Sequence, residues 1–71
     1  MHNSLIADFE AMGWKFREIR SLGLFKNTHN ERIEYFELWR ITRNGKERTL
    51  YIGEDGRKWG KDFATHWEAV A

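Results

Sequence analysis

The 71-residue chain contains no cysteine and no proline. Without cysteine there is no disulfide scaffold, no thiolate-bound zinc or iron–sulfur cluster and no thiol nucleophile. Without proline, every reversal of the chain falls to Gly, Asn or Asp, which tolerate turn geometry for other reasons. Serine is scarce: Ser4 and Ser21 are the only ones, and neither stands in a recognisable relation to a histidine. No apolar run approaches the ~20 residues of a membrane helix. The basic-then-apolar start of a secretory signal is missing too, so a cytoplasmic location with no membrane contact is expected. Lys+Arg 12 against Asp+Glu 11 leaves a formal net charge of +1, with both signs mixed throughout. That disfavours a DNA mimic and supplies no basic arm or acidic tail.

What is present is a globular composition, 41% hydrophobic and 32% charged, sized for a single compact domain over residues 1–71. A domain this short buries roughly 60% of its unfolded surface, so its margin is thin. Aromatics make up 15% of the chain and include Trp14, Trp39, Trp59 and Trp67. Such side chains either fill a core that aliphatic residues leave incomplete or stand at the surface as binding anchors beside Arg.

Leu5, Phe9 and Met12 recur at helical spacing, with Asn3 or Ser4 able to cap and Gly13 able to stop the helix, which predicts a helix over 4–12. Residues 14–25 read as extended, with an alternation that slips between Phe16 and Ile19, as a bulge would make it. Residues 26–32 form a polar loop. Ile33 to Arg43 is rich in β-branched and aromatic residues; Asn44-Gly45 is a hairpin turn, and residues 48–53 return as its partner. Asp55-Gly56 makes another turn. Phe63, Trp67 and Val70 then predict a closing helix over 61–70, capped by Gly60 or Asp62. The expected fold is α+β, in the order α-β-β-β-α: a three-stranded antiparallel sheet with both helices packed on one face.

The hairpin register decides which residues share a face. A two-residue turn pairs positions whose numbers sum to 89 and puts Ile33, Tyr35, Trp39, Ile41, Leu50 and Ile52 together, opposite Phe36, Leu38 and Tyr51. A three-residue turn shifts the register by one. Phe36, Leu38, Leu50 and Ile52 then form the core face, and Tyr35, Trp39 and Tyr51 gather on the other. Either way both faces carry apolar side chains. If helices cover one face only, the other exposes a patch suited to an interface.

Catalytic signals are weak. Glu34 and Glu37 are three apart on a strand and so on opposite faces, and Glu54/Asp55 lie in a turn. No enzymatic activity and no cofactor is expected. Asp62 and His66 are spaced to reach one ion on a helix, but a pair is short of the three or four ligands zinc takes, and His2 and His29 lie elsewhere; no metal is expected. The glycine-rich stretch from Gly53 to Lys61 is one residue short of the phosphate-binding pattern G-x-x-x-x-G-K-S/T, and Asp62 stands where the hydroxyl should be. The positive signal is basic–aromatic interleaving: Trp14-Lys15-Phe16-Arg17, Trp39-Arg40 and Arg57-Lys58-Trp59-Gly60-Lys61. Such stretches anchor protein interfaces or stack on bases and pair with phosphates.

The α-β-β-β-α order and the length resemble a double-stranded RNA-binding domain. His29 would sit in the loop where that family carries a His, and Arg57-Lys58-Trp59-Gly60-Lys61 is similar to its K-K-x-A-K cluster. Asn27-Thr28 replaces its Gly-Pro, and Phe63, Thr65 and Trp67 replace its alanine-rich last helix. The leading expectation is a small non-catalytic module that acts stoichiometrically on a protein partner, in the manner of a phage- or mobile-element-type inhibitor or adaptor. Its candidate residues are Tyr35, Trp39, Arg40, Tyr51 and Trp59. The alternative is binding of double-stranded RNA or DNA through Lys15, Arg17, Arg57, Lys58 and Lys61. A homodimer formed for stability is a third expectation, and would make the melting temperature rise with concentration.

Overall fold

Leu5, Ile6 and Phe9 lie along one side of α1 (Asn3–Ala11), the first element of the computed structural model, which describes residues 3–70. The side chains of Asn3 and Ser4, the expected caps, lie outside the described ones, as do those of Glu18 and Ile19. The helix stops where the sequence places its glycine. Gly13 has φ +90, its N–H donates to the Glu10 carbonyl at 3.0 Å, and the Trp14 N–H donates to the Phe9 carbonyl at 3.0 Å. This is a Schellman closure, and Phe9 and Trp14 supply its hydrophobic contact by entering the same core. Arg43 donates to the Met12 carbonyl at 2.9 Å and lies over the Trp14 ring at 4.4 Å, clamping the helix end to the sheet.

The rest of the molecule is mostly β. Strands β1 (Lys15–Asn27), β2 (Ile33–Arg43), β3 (Lys46–Gly53), β4 (Lys58–Trp59) and β5 (Trp67–Ala69) form one five-stranded antiparallel sheet in the order β4-β3-β2-β1-β5. The expected three-stranded sheet under two helices is therefore corrected, and with it the order shared with the RNA-binding domain. The closing helix over 61–70 shrinks to α2 (Phe63–His66), after which Trp67 turns extended at φ −134, ψ 137 and the chain pairs with β1. The physical reason is competition. A segment of that length makes a marginal helix on its own, whereas the outer edge of β1 at Phe25–Asn27 offers unpaired backbone groups. Asp62 occupies the cap position of α2 without a side-chain cap bond.

The Asn44-Gly45 turn is the two-residue form. Asn44 has φ 52 and Gly45 φ 76, and Arg43 pairs with Lys46, so the register sums to 89 along the whole β2–β3 ladder. The front face thus holds Tyr35, Trp39 and Ile41 with Leu50 and Ile52; the back face holds Glu34, Phe36, Leu38 and Arg40 with Thr49 and Tyr51. β1 is less regular, with register shifts between Phe16 and Glu18 and between Ser21 and Gly23. The first is the slip visible in the sequence.

Each face has its own core, and the two are offset diagonally. On the front, toward the Asn44-Gly45 hairpin, α1 covers Trp14, Trp39, Ile41, Leu50 and Ile52, with Phe16 edge-on to Trp39 at 5.1 Å. On the back, toward the opposite end, Phe36, Phe63 and Trp67 form an aromatic core with Leu22, Phe25, Tyr51 and Trp59. Burial along β2 records the switch: Glu34, Phe36 and Leu38 are buried on the back, then Trp39 and Ile41 on the front. No helix among the described residues is long and apolar enough to cross a membrane.

Candidate functional site

Because the covers are diagonal, a quarter of each face stays open. The open front quarter is apolar: Leu24, Ile33, Tyr35 and Val70 are all exposed. Leu24 pairs with Tyr35, and the Val70 N–H donates to the Leu24 carbonyl at 3.0 Å, so this row runs across three strands. The Tyr35 and Ser21 hydroxyls share a hydrogen bond there.

The open back quarter, toward the hairpin, is basic. β1 supplies Lys15, Arg17 and Arg20, and β2 supplies Arg40, all exposed. The pairs Lys15 with Thr42, Arg20 with Leu38 and Arg40 with Thr49 place them on the back face. Arg17 sits in the first bulge and reaches across to Glu47 on β3 at 2.6 Å, which brings its head group to the same side. Past β4 the chain leaves the sheet at Gly60, and Lys61 lines an open groove of about 640 Å³ with Glu47, Arg48, Thr49, Leu50 and Tyr51. Glu47 is an acid of this quarter, and Glu18, whose side chain lies outside the described ones, stands opposite Arg40 in the register. Glu31, Glu34, Glu54 and Asp55 stand at the other end of the sheet, where Arg32 ties the loops together by pairing with Glu34 and with Asp55 at 3.3 Å.

The expected site residues are therefore divided. Trp39 is 1% exposed and belongs to the front core. Tyr35 lies in the apolar quarter. Arg40 lies in the basic quarter, and Tyr51 and Trp59, paired across β3 and β4, are half-buried at its margin, Tyr51 stacked on Phe63 at 4.1 Å. Of the alternative set, Lys15 and Arg17 share the back of β1, and Lys61 lines the groove at the β3 edge with Glu47, the partner of Arg17. Arg57 turns toward Asp55 at 3.6 Å, and the Lys58 ammonium lies 6.0 Å over the Phe9 ring on the front. The stretch from Arg57 to Lys61 therefore splays, because β4 sends successive side chains to opposite faces. Arg20 was not singled out from the sequence. Its signal was Arg40: once Arg40 faces away from Trp39, the adjacent strand brings Arg20 to the same side.

Among the described residues no group of three or more His, Cys, Asp or Glu is placed to hold a metal ion; His2 lies outside them. Asp62 and His66 meet, but through the backbone: His66 Nδ1 bonds the Asp62 carbonyl at 2.9 Å, while its ring packs on Trp59 at 5.3 Å and His29 at 5.6 Å. That contact orders the 28–32 loop, whose Thr28 N–H donates to the His66 carbonyl at 2.9 Å.

No family model matches this sequence, and no match was found among curated proteins or solved structures.

Proposed function

We propose that the protein is a non-catalytic binding module that holds a protein partner stoichiometrically, presenting its basic quarter to an acidic surface. The observation that supports this reading is the gathering of Lys15, Arg17, Arg20, Arg40 and Lys61 on one uncovered part of the sheet, bordered by Tyr51 and Trp59. Arginine-rich patches beside aromatic rings are preferred anchors of protein interfaces, and a concentrated field of one sign speeds encounter with a partner of the other.

A second reading has one specific observation behind it. Lys15, Arg17 and Lys61 were candidates for nucleic-acid binding; the first two lie in this quarter and Lys61 lines the groove at its β3 edge. The two readings separate in one experiment. Poly-L-glutamate and short duplexes of DNA and RNA are titrated separately, following tryptophan fluorescence at about 50 and 200 mM salt. The protein reading expects poly-L-glutamate to bind and Arg20→Glu combined with Arg40→Glu to weaken it about ten-fold or more. Duplex binding that is tight at low salt and collapses by orders of magnitude at the higher salt would transfer the site to nucleic acid.

A further inference from the structure

The sheet leaves unpaired backbone on both of its long strands, and the two edges differ. Among the described residues, β5 pairs with β1 only at Phe25–Asn27, leaving the outer edge of β1 open from Lys15 to Gly23. The register shifts at Phe16/Glu18 and Ser21/Gly23 break that edge, and bulges there blunt pairing. β4 pairs with β3 only at Tyr51 and Ile52, leaving Lys46 to Leu50 open. This edge is regular: from Phe36/Gly53 to Arg43/Lys46 the β2–β3 register never shifts. The groove lined by Glu47 to Tyr51, Gly60 and Lys61 lies along it.

We infer that the outer edge of β3 at Lys46–Leu50 accepts an extended acidic segment of the protein partner as an added strand, in line with β4. This rests on the protein-binding reading above and adds where and how the partner docks. Main-chain hydrogen bonds to the outward N–H and C=O groups of β3 supply the contact, and side chains on alternate positions supply the choice. Lys46 and Arg48 are exposed on the front face, and Arg48 is held over Trp14 at 5.5 Å. They are two residues apart, so an incoming strand sets acidic residues at i and i+2 opposite them. On the back, Glu47 is already matched by Arg17 at 2.6 Å, and Lys61 flanks the slot.

Charge complementarity selects a foreign strand over a second copy. Two β3 edges meeting antiparallel in a continuous sheet must pair residues of the same face, so the two-fold axis falls on a residue. Centred on Glu47, it sets Glu47 opposite Glu47 and Lys46 opposite Arg48; centred on Arg48, it sets Arg48 opposite Arg48. Each places like charges directly across from one another, which is destabilising; centred on Thr49, the axis leaves only Arg48–Leu50 to pair, because Tyr51 and Ile52 are already taken by β4.

The test is selection of short random peptides displayed against the full chain, followed by synthesis of the enriched sequences. Strand addition expects acidic residues at alternate positions in the enriched peptides. N-methylation of the amides facing β3 should lower affinity about ten-fold or more, and N-methylation of those facing away should not. Amides within Lys46–Leu50 should slow in hydrogen exchange, and Lys46→Glu or Arg48→Glu should each turn the selected pool basic at those positions. Because Arg48 also touches Trp14, Lys46→Glu is the variant that reads charge with the fold unaltered. Peptides indifferent to N-methylation, or a pool with no alternating acidic pattern, would overturn the inference. If poly-L-glutamate still binds through Arg20 and Arg40, the edge inference alone has failed; if only duplexes bind, the protein-binding reading has failed with it.

Discussion

The two cores of this protein sit on opposite faces of one sheet and are covered by different means. The front core is closed by α1, whose Leu5, Ile6 and Phe9 fit over Trp39, Ile41, Leu50 and Ile52. The back core is closed by a short, irregular stretch, α2 and β5, that contributes Phe63 and Trp67 to a cluster of rings. Rings enter both cores, but on the front Leu5, Ile6, Ile41, Leu50 and Ile52 pack among Phe9, Trp14, Phe16 and Trp39. The back core depends on ring edges meeting ring faces, as Phe36 does with Trp67 at 4.6 Å and with Phe63 at 4.9 Å. A short cover suffices when each residue on it is large. The diagonal offset lets a chain this small bury both ends of its sheet while leaving a basic and an apolar quarter open.

The largest effects should come from the centre of each core. Trp39→Ala on the front and Phe36→Ala on the back, 1% and 0% exposed, should each cost about 3–5 kcal/mol in urea unfolding. If the faces form one cooperative unit, each variant lowers the transition as a whole. A variant that splits it into two steps would show that the covers unfold separately.

Gly53→Ala probes the back face more finely. A Cβ there would meet Glu34 Oε1 at 2.6 Å and the Phe36 ring at 3.1 Å, and both neighbours are buried. A loss of about 1–3 kcal/mol is expected, while Gly60→Ala, with open space around it, should be nearly silent. Equal effects would remove the close approach from the account. On the front, Gly13→Ala forces an L side chain to φ +90 at the end of α1 and should cost about 1–2 kcal/mol. Circular dichroism should show the loss as fraying of the helix. The smallest effect belongs to Glu68→Ala, which removes an exposed pair with Lys26 at 3.7 Å and should change stability by about 1 kcal/mol or less. A larger loss would mean that β5 is held by this pair rather than by Trp67.

The same contrast explains what could be read from the sequence. Two registers stayed open at Asn44-Gly45, so Trp39 also stood as a surface anchor, but the cover of the front core was legible because α1 has helical spacing and Gly13 ends it. The back core was not, because its cover has no period. Lys58–Trp59 is too short for any alternation to show. Phe63 and Trp67 are spaced as on one helix face, yet they reach the same core through one turn of helix followed by extended chain. For the site, Lys15, Arg17, Arg40 and Lys61 could each be named as candidates. Their convergence could not, because it requires the bulge at Phe16/Glu18 and the departure of the chain from the sheet at Gly60.

One consequence of the switch along β2 concerns which substitutions the protein can bear. A strand with a single wet side accepts change at every second position. In β2 the permissive positions fall out of step halfway: Ile33 and Tyr35 are exposed before the switch, Arg40 after it, and Leu38-Trp39 between them are both buried. Sequence drift in this strand would therefore leave an alternation that skips a beat at Leu38-Trp39, the adjacent pair at which neither residue is free to vary.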